Sequence, residues 1–348
     1  MSLPHGALPE LISPHLKKLI EETGGVEGPI GKQFVANPEM EGKHFKKGTK
    51  DPLIEDEFEI APGLVYKYQG KIKKNKILYY GRALWTICRF CSSYCRFCTR
   101  GREVGLPATI SLNEGGAIAK SPYLSDKQID EVFEFIKKRK ELIEIIVSGG
   151  DPLVTPKDYL EKIILGLVDL QKNGFLKIIR VGTRVPVSNP QLIKDWHYQI
   201  LAKIKNPYLM VHINHPKELT AETINVLNNF RRIALATVMS QTVLLKGVND
   251  AEEILYKLFI KLTEEGIRPY YLYQNDPVYW AKHFTVPIKK AIKLWQNLRP
   301  KLSGIAATAR FVIDVPFGFG KVPVPEGNAW EVDYKFYRDF KGKRYRLE

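Results

Sequence analysis

The chain has 348 residues, 44% of them hydrophobic and 11% aromatic, which suits one large α/β domain with extensions and excludes a disordered chain. Fifty-three Lys and Arg against 38 Asp and Glu leave a formal charge of +15, but the lysines are spread along the chain, so a solvated surface is expected rather than a nucleic-acid platform. No apolar run reaches the roughly 18 residues of a membrane span, and the N-terminus lacks a continuous apolar stretch, so a cytoplasmic protein without membrane contact is expected.

Residues 1–80 read as an N-terminal extension of helix and loop. Within it, "SPHLKKLIEETGG" (13–25) is a short amphipathic helix ended by glycines, and "GTKDPLIEDEFEIAPG" (48–63) is loop. The basic, aromatic runs at 68–76 and 336–348 read as solvated hairpins. From residue 83 onward a strand-then-helix rhythm sets in. Apolar, β-branched runs fall at 83–87, 144–149, 177–183, 209–214, 233–239, 268–274 and 309–315, and helical patterns at 126–140, 156–174, 220–230, 250–266 and 287–300. Continuous apolar strands alternating with helices call for parallel strands covered on the outside. The expected fold is α/β, a partial (β/α) barrel over 81–324, followed by a short C-terminal extension over 325–348. In such folds function sits on the loops that leave the C-terminal ends of the strands. "GGDP" (149–152), "GTR" (182–184), "NHP" (214–216), "QND" (274–276) and "DVPFGFGK" (314–321) all fall there.

So do the cysteines. All four, Cys88, Cys91, Cys95 and Cys98, lie within eleven positions. A structural zinc site usually splits its ligands into two pairs a dozen or more residues apart, and these gaps are too small for that. Disulfides are disfavoured without a secretion signal. Three thiolates in the C-x3-C-x2-C loop of Cys91, Cys95 and Cys98 suit three irons of a [4Fe-4S] cluster, leaving the fourth iron open to a non-protein ligand. Cys88 lies outside the triplet and reads as a buried, unligated thiol.

The triplet, with Phe97 before its last cysteine and a barrel strand ahead of it, resembles the radical S-adenosylmethionine (SAM) enzymes. That resemblance implies SAM on the open iron, held by its amino and carboxylate groups, and release of a 5'-deoxyadenosyl radical. Further blocks follow in order, among them "VSGGDPLVT" (147–155), "HINHPKELT" (212–220), "SQTVLLKGVND" (240–250), "RPYYLYQNDP" (268–277) and "FVIDVPFGFGKVPV" (311–324). With them the chain resembles the lysine 2,3-aminomutase family from about residue 28 to at least Val324.

The family resemblance implies a second cofactor, pyridoxal 5'-phosphate (PLP), on Lys321. Gly318 and Gly320 let that amine approach an aldehyde, while Phe317 and Phe319 stand where the family pattern usually has glycine. Arg82 is implied for the PLP phosphate. Gly149 and Gly150, with Asp151 in the same turn, let carbonyls approach the SAM ammonium, and His212 and Gln241 are implied near SAM. Arg100 matches the arginine that forks the substrate α-carboxylate, and Asp276 and Asp314 match the aspartates that grip a side-chain ammonium. Two carboxylates in one pocket repel unless a cation lies between them, which favours lysine or ornithine over glutamate or alanine.

The implied activity is an isomerase that converts L-lysine to L-β-lysine, reuses SAM, takes electrons from a donor such as ferredoxin or flavodoxin and works as a homo-oligomer. Other readings stay open: another amino acid, because bulky Tyr279 and Trp280 follow Asp276, a lysine side chain of elongation factor P, or an RNA-modifying radical SAM enzyme.

Overall fold

The computed structural model describes residues 8–42, 49–68, 72–73, 76–77, 81–105, 121–316, 320–326, 336–338 and 343–346. Ten strands form one sheet in sequence order: β1 (Glu59–Ala61), β2 (Leu64–Tyr68), β3 (Gly81–Cys88), β4 (Leu142–Gly149), β5 (Ile178–Thr183), β6 (Tyr208–His212), β7 (Thr237–Leu244), β8 (Arg268–Gln274), β9 (Arg310–Asp314) and β10 (Lys321–Pro323). From β3 to β9 each neighbour pairs in parallel. The edges are antiparallel: β1 and β2 flank β3, and β10 folds back on β9. Among the described residues β1 and β10 do not pair, so the barrel is partial, as expected.

Parallel neighbours need crossovers, and helices supply most of them. After α1 (Pro14–Glu22), α2 (Asp126–Lys137), α3 (Lys157–Lys172), α4 (Asp195–Leu201), α5 (Ala221–Arg232), α6 (Glu252–Glu264) and α7 (Ile288–Leu298) follow the strands in turn. Their starts are written in the sequence. Ser125 and Gln128 exchange hydrogen bonds as a capping box ahead of α2, and the Thr220 hydroxyl accepts the Thr223 N–H at the head of α5.

Strand side chains alternate. Ile145, Val147, Ile179, Val181, Leu209 and Val211 point outward into the helix layer and are buried, each contributing about 1.5–3 kcal/mol. Leu84, Ile146, Met210 and Met239 point inward and plug the barrel. One step further toward the strand ends the inward positions become Ser148, Gly182, His212 and Gln241, which are small or polar, and there a cavity opens.

Two expectations need correction. The stretch 48–63, read as loop, holds a 3-10 turn (Glu55–Phe58) and β1, and the lead-in adds two strands to the barrel sheet. Pairing with an existing edge stabilises strands too short to stand alone. The strand expected at 233–239 begins only at Thr237. Ile233 and Leu235 are exposed, and Leu235 takes a positive φ of 52°, so the apolar run ends a helix and turns before the strand begins. In the C-terminal extension, Phe336–Arg338 and Arg344–Arg346 pair antiparallel. Among the described residues no helix is long and apolar enough to cross a membrane.

Candidate active site

The cavity, about 300 Å³, lies at the C-terminal ends of the parallel strands, and every residue singled out from the sequence as a site residue lines it. Gly318 alone of the cofactor-lysine glycines lies outside the described residues, as do Phe317 and Phe319.

The cysteine loop leaves β3 and rests on the lead-in. Arg96, 1% exposed, donates from Nε to Glu41 at 2.8 Å, pairs with the same carboxylate through Nη2, and donates from Nη1 to the carbonyls of Leu8 and Pro9 at 3.0 Å each. The Trp280 indole donates to the Cys98 carbonyl at 3.1 Å. Tyr279 and Trp280 are buried behind the cavity wall and do not line it. Burial raises the Cys91 thiol, as do Asp151, Cys98 and Cys95 nearby, and burial followed by Cys95 pushes Cys98 up to about 12. Three crowded thiols of this kind fit a cluster, whose irons would take up the thiolate charge. Among the described residues no three His, Cys, Asp or Glu side chains stand close enough for a single metal ion. A cluster asks for a different arrangement, one thiolate on each of three irons.

Two glycines lock β4 onto this loop. A Cβ on Gly149, which has φ +123°, would lie 2.4 Å from the Cys88 carbonyl oxygen, and one on Gly150 would lie 2.0 Å from that of Phe90. Instead the Gly150 and Asp151 N–H groups donate to those carbonyls at 2.8 and 2.9 Å. The Asp151 carboxylate is engaged in scaffolding: it accepts from the Thr183 hydroxyl and from the N–H groups of Leu153, Arg184 and Val185. Burial pushes it up to about 6 against those donors. Cys88 is buried and donates to the Asp151 carbonyl at 3.3 Å, as a structural thiol does.

His212 packs edge-on against Phe97 at 5.4 Å. Burial, with Arg184 nearby, lowers it to about 3, so it is neutral. Its Nε2 is buried without a hydrogen-bond partner, and a polar ligand in the cavity would supply one. Gln241 donates to the Tyr273 hydroxyl at 3.4 Å. Arg184, to which the sequence assigned no role beyond its place in "GTR", donates to the Cys95 sulfur at 2.7 Å, to Gln33 at 2.6 Å and to Glu218 at 2.8 Å.

The remaining residues form two charged groups on the cavity wall, and Lys67 of the second acts on Asp276 and Asp314 of the first. In the first, Asp276 accepts from Thr99 at 2.7 Å, and burial together with Asp314 pushes it up to about 6. Asp314 pairs with the Lys321 amine at 2.8 Å, which also stands 5.3 Å over the Tyr273 ring. Arg82 lies against Gly320, which has φ +93°. In the second group Arg100 forks Glu55 with two hydrogen bonds of 2.9 Å, and Lys67 pairs with the same carboxylate. Burial would raise Glu55, but the two cations outweigh it and hold the carboxyl far below the usual range. Neither Glu55 nor Lys67 is signalled by the sequence, where no spacing or motif joins them to Arg100.

A parallel barrel with a three-cysteine loop at its mouth defines a radical SAM enzyme, and the profile of the Radical SAM superfamily matches residues 85–259. L-lysine 2,3-aminomutase of Methanococcus maripaludis is 32% identical over 337 residues, 96% of this chain and 71% of its own length. That of Clostridium subterminale is 31% identical over 313 residues, 90% of this chain and 68% of its own. Glutamate 2,3-aminomutase of Clostridioides difficile is 28% identical over 301 residues, 85% of this chain and 66% of its own. The chain belongs to the L-lysine 2,3-aminomutase family. It is an isomerase, a radical SAM aminomutase working with SAM and an iron-sulfur cluster.

Proposed function

We propose that the protein moves the α-amino group of L-lysine to its β-carbon, giving β-lysine, with PLP as second cofactor. The observation that supports the reading is the charge content of one cavity, whose wall carries Arg100 together with Asp276, Asp314 and Lys321. When bound, the cluster and SAM supply the hydrogen-abstracting radical, and PLP supplies an aldehyde that carries the migrating nitrogen. The chain's own residues do the rest. Arg100 presents donors to the α-carboxylate. Asp276 and Asp314 repel each other across a buried site, and a substrate ammonium between them relieves that repulsion. Lys321 is the holder of PLP, with Arg82 beside it for the phosphate. Cys91, Cys95 and Cys98 would hold three irons, and the unpartnered Nε2 of His212, with Gln241, would offer polar contacts to SAM in the cavity. Gly149 and Gly150 hold the strand end and its carbonyls against the cluster loop.

The test is anaerobic. The protein, with its iron and sulfide restored, is given SAM, PLP and a strong reductant, then offered L-lysine, L-ornithine, L-glutamate and L-alanine separately. β-Lysine from L-lysine, with little product from the others, is the expected result. Product from glutamate in preference to lysine would overturn the ammonium assignment. SAM cleavage with no product from any free amino acid would move the substrate to a macromolecule.

A further inference from the structure

Glu55 and Lys67 have no part in the reading above, yet both line the cavity beside Arg100. Both come from the lead-in: Glu55 heads the 3-10 turn and Lys67 lies on β2. Glu55 is 3% exposed. A guanidinium offers two forks, one along its side through Nε and Nη2 and one at its end through Nη1 and Nη2. Glu55 fills the side fork of Arg100. Among the described residues the Arg100 Nη1 makes no hydrogen bond. Holding the side fork fixes the plane of the end fork.

A lone carboxylate in that position would cancel the charge of Arg100. Lys67 offsets it by pairing with the same carboxylate. Arg102 also comes within 3.9 Å of Glu55, but Asp51, Asp56 and Glu103 meet it at 3.1, 2.8 and 2.9 Å. Of this network only Glu55, Lys67 and Arg100 line the cavity, so the three together carry a single positive charge, with Asp314 and Asp276 also within the field of Lys67.

We propose that Glu55 and Lys67 are positioning residues for the carboxylate end of the substrate. Glu55 orients Arg100 through its side fork, and Lys67 restores the charge that Glu55 removes, so the end fork meets one carboxylate. The inference rests on the reading of Arg100 as the carboxylate site.

The test compares two ligands on the PLP-loaded protein with SAM present and the cluster left oxidised, so that no turnover occurs. One is L-lysine and the other is 1,5-diaminopentane, which is lysine without its carboxylate. Affinities are measured for the wild type, Glu55→Gln, Glu55→Asp and Lys67→Met. The wild type should prefer L-lysine; if it does not, the reading of Arg100 fails, and that failure is distinct from the one below. Glu55→Gln should weaken L-lysine about tenfold and leave the diamine unchanged. Glu55→Asp keeps the charge but draws the carboxylate back by one methylene, so it should lose much of the same preference. Lys67→Met should lose several-fold. An unchanged preference in both Glu55 variants overturns the proposal, and so does equal weakening of the two ligands, which would make Glu55 a folding residue only.

Discussion

The two charged groups on the cavity wall are set up by opposite means. Around Arg100 every charge has a fixed partner: Glu55 lies between Arg100 and Lys67, held far below the usual carboxylate range. Around the aspartates Asp276 is pushed up to about 6 by burial and by Asp314, and Lys321, paired directly with Asp314, and the more distant Lys67 oppose that repulsion. The first group is preorganised and sets geometry. The second carries a repulsion that a bound cation relieves, so the larger share of discrimination among side chains belongs there.

The severest way to break this comparison is Lys321→Ala. It removes the counter-ion of Asp314 and the proposed holder of PLP, so turnover should vanish and the PLP absorbance of the protein should be lost on dialysis. Retained turnover would remove Lys321 from the site. Next in size is Arg96→Met, within the cysteine loop. It leaves Glu41 buried without its partner, and urea unfolding should show a loss of about 3–5 kcal/mol. A smaller loss would mean that water reaches Glu41.

Asp276→Asn should then raise the KM for L-lysine by roughly 30- to 150-fold, about 2–3 kcal/mol, with SAM cleavage little changed. Equal losses in both would take Asp276 out of substrate binding. The smallest effect is on pH dependence. In the proposed reading a substrate ammonium pairs with the ionised carboxylate, and burial with Asp314 pushes Asp276 up to about 6. Below that point L-lysine must displace a proton, so its affinity should fall about tenfold per pH unit, while above pH 7 the profile is flat. Calorimetry on Asp276→Asn should show the slope gone.

Sequence and structure agree where a pattern repeats. The alternating strands and helices from β3 to β9 carry period and caps, and the cysteine spacing is itself a geometry. The lead-in has no such rhythm. Glu55 reaches Arg100 across 45 residues, Glu41 reaches Arg96 across 55, and Gln33 reaches Arg184 across 151. Such pairs exist only once the chain has folded. Asp151 shows a different limit. The sequence marks "GGDP" as part of the site, and its glycines do border the cavity, but the carboxylate itself braces the "GTR" turn. The run 233–239 misleads because apolar residues can end a helix in solvent as readily as begin a strand.

The long reach of Gln33 has a consequence for biogenesis. Its side chain joins Arg184 and Asn214, the latter 181 residues further along. At about 5–20 residues per second, a ribosome needs roughly 10 to 40 s to make that interval. Until then the lead-in, whose Leu16, Leu19, Ile20, Ile30 and Phe34 pack together beside Cys95, lacks the Gln33 hydrogen bonds that tie it to Arg184 and Asn214. Iron delivered before that docking would meet a cysteine loop without the bracing that Glu41 and Gln33 give to Arg96 and Arg184.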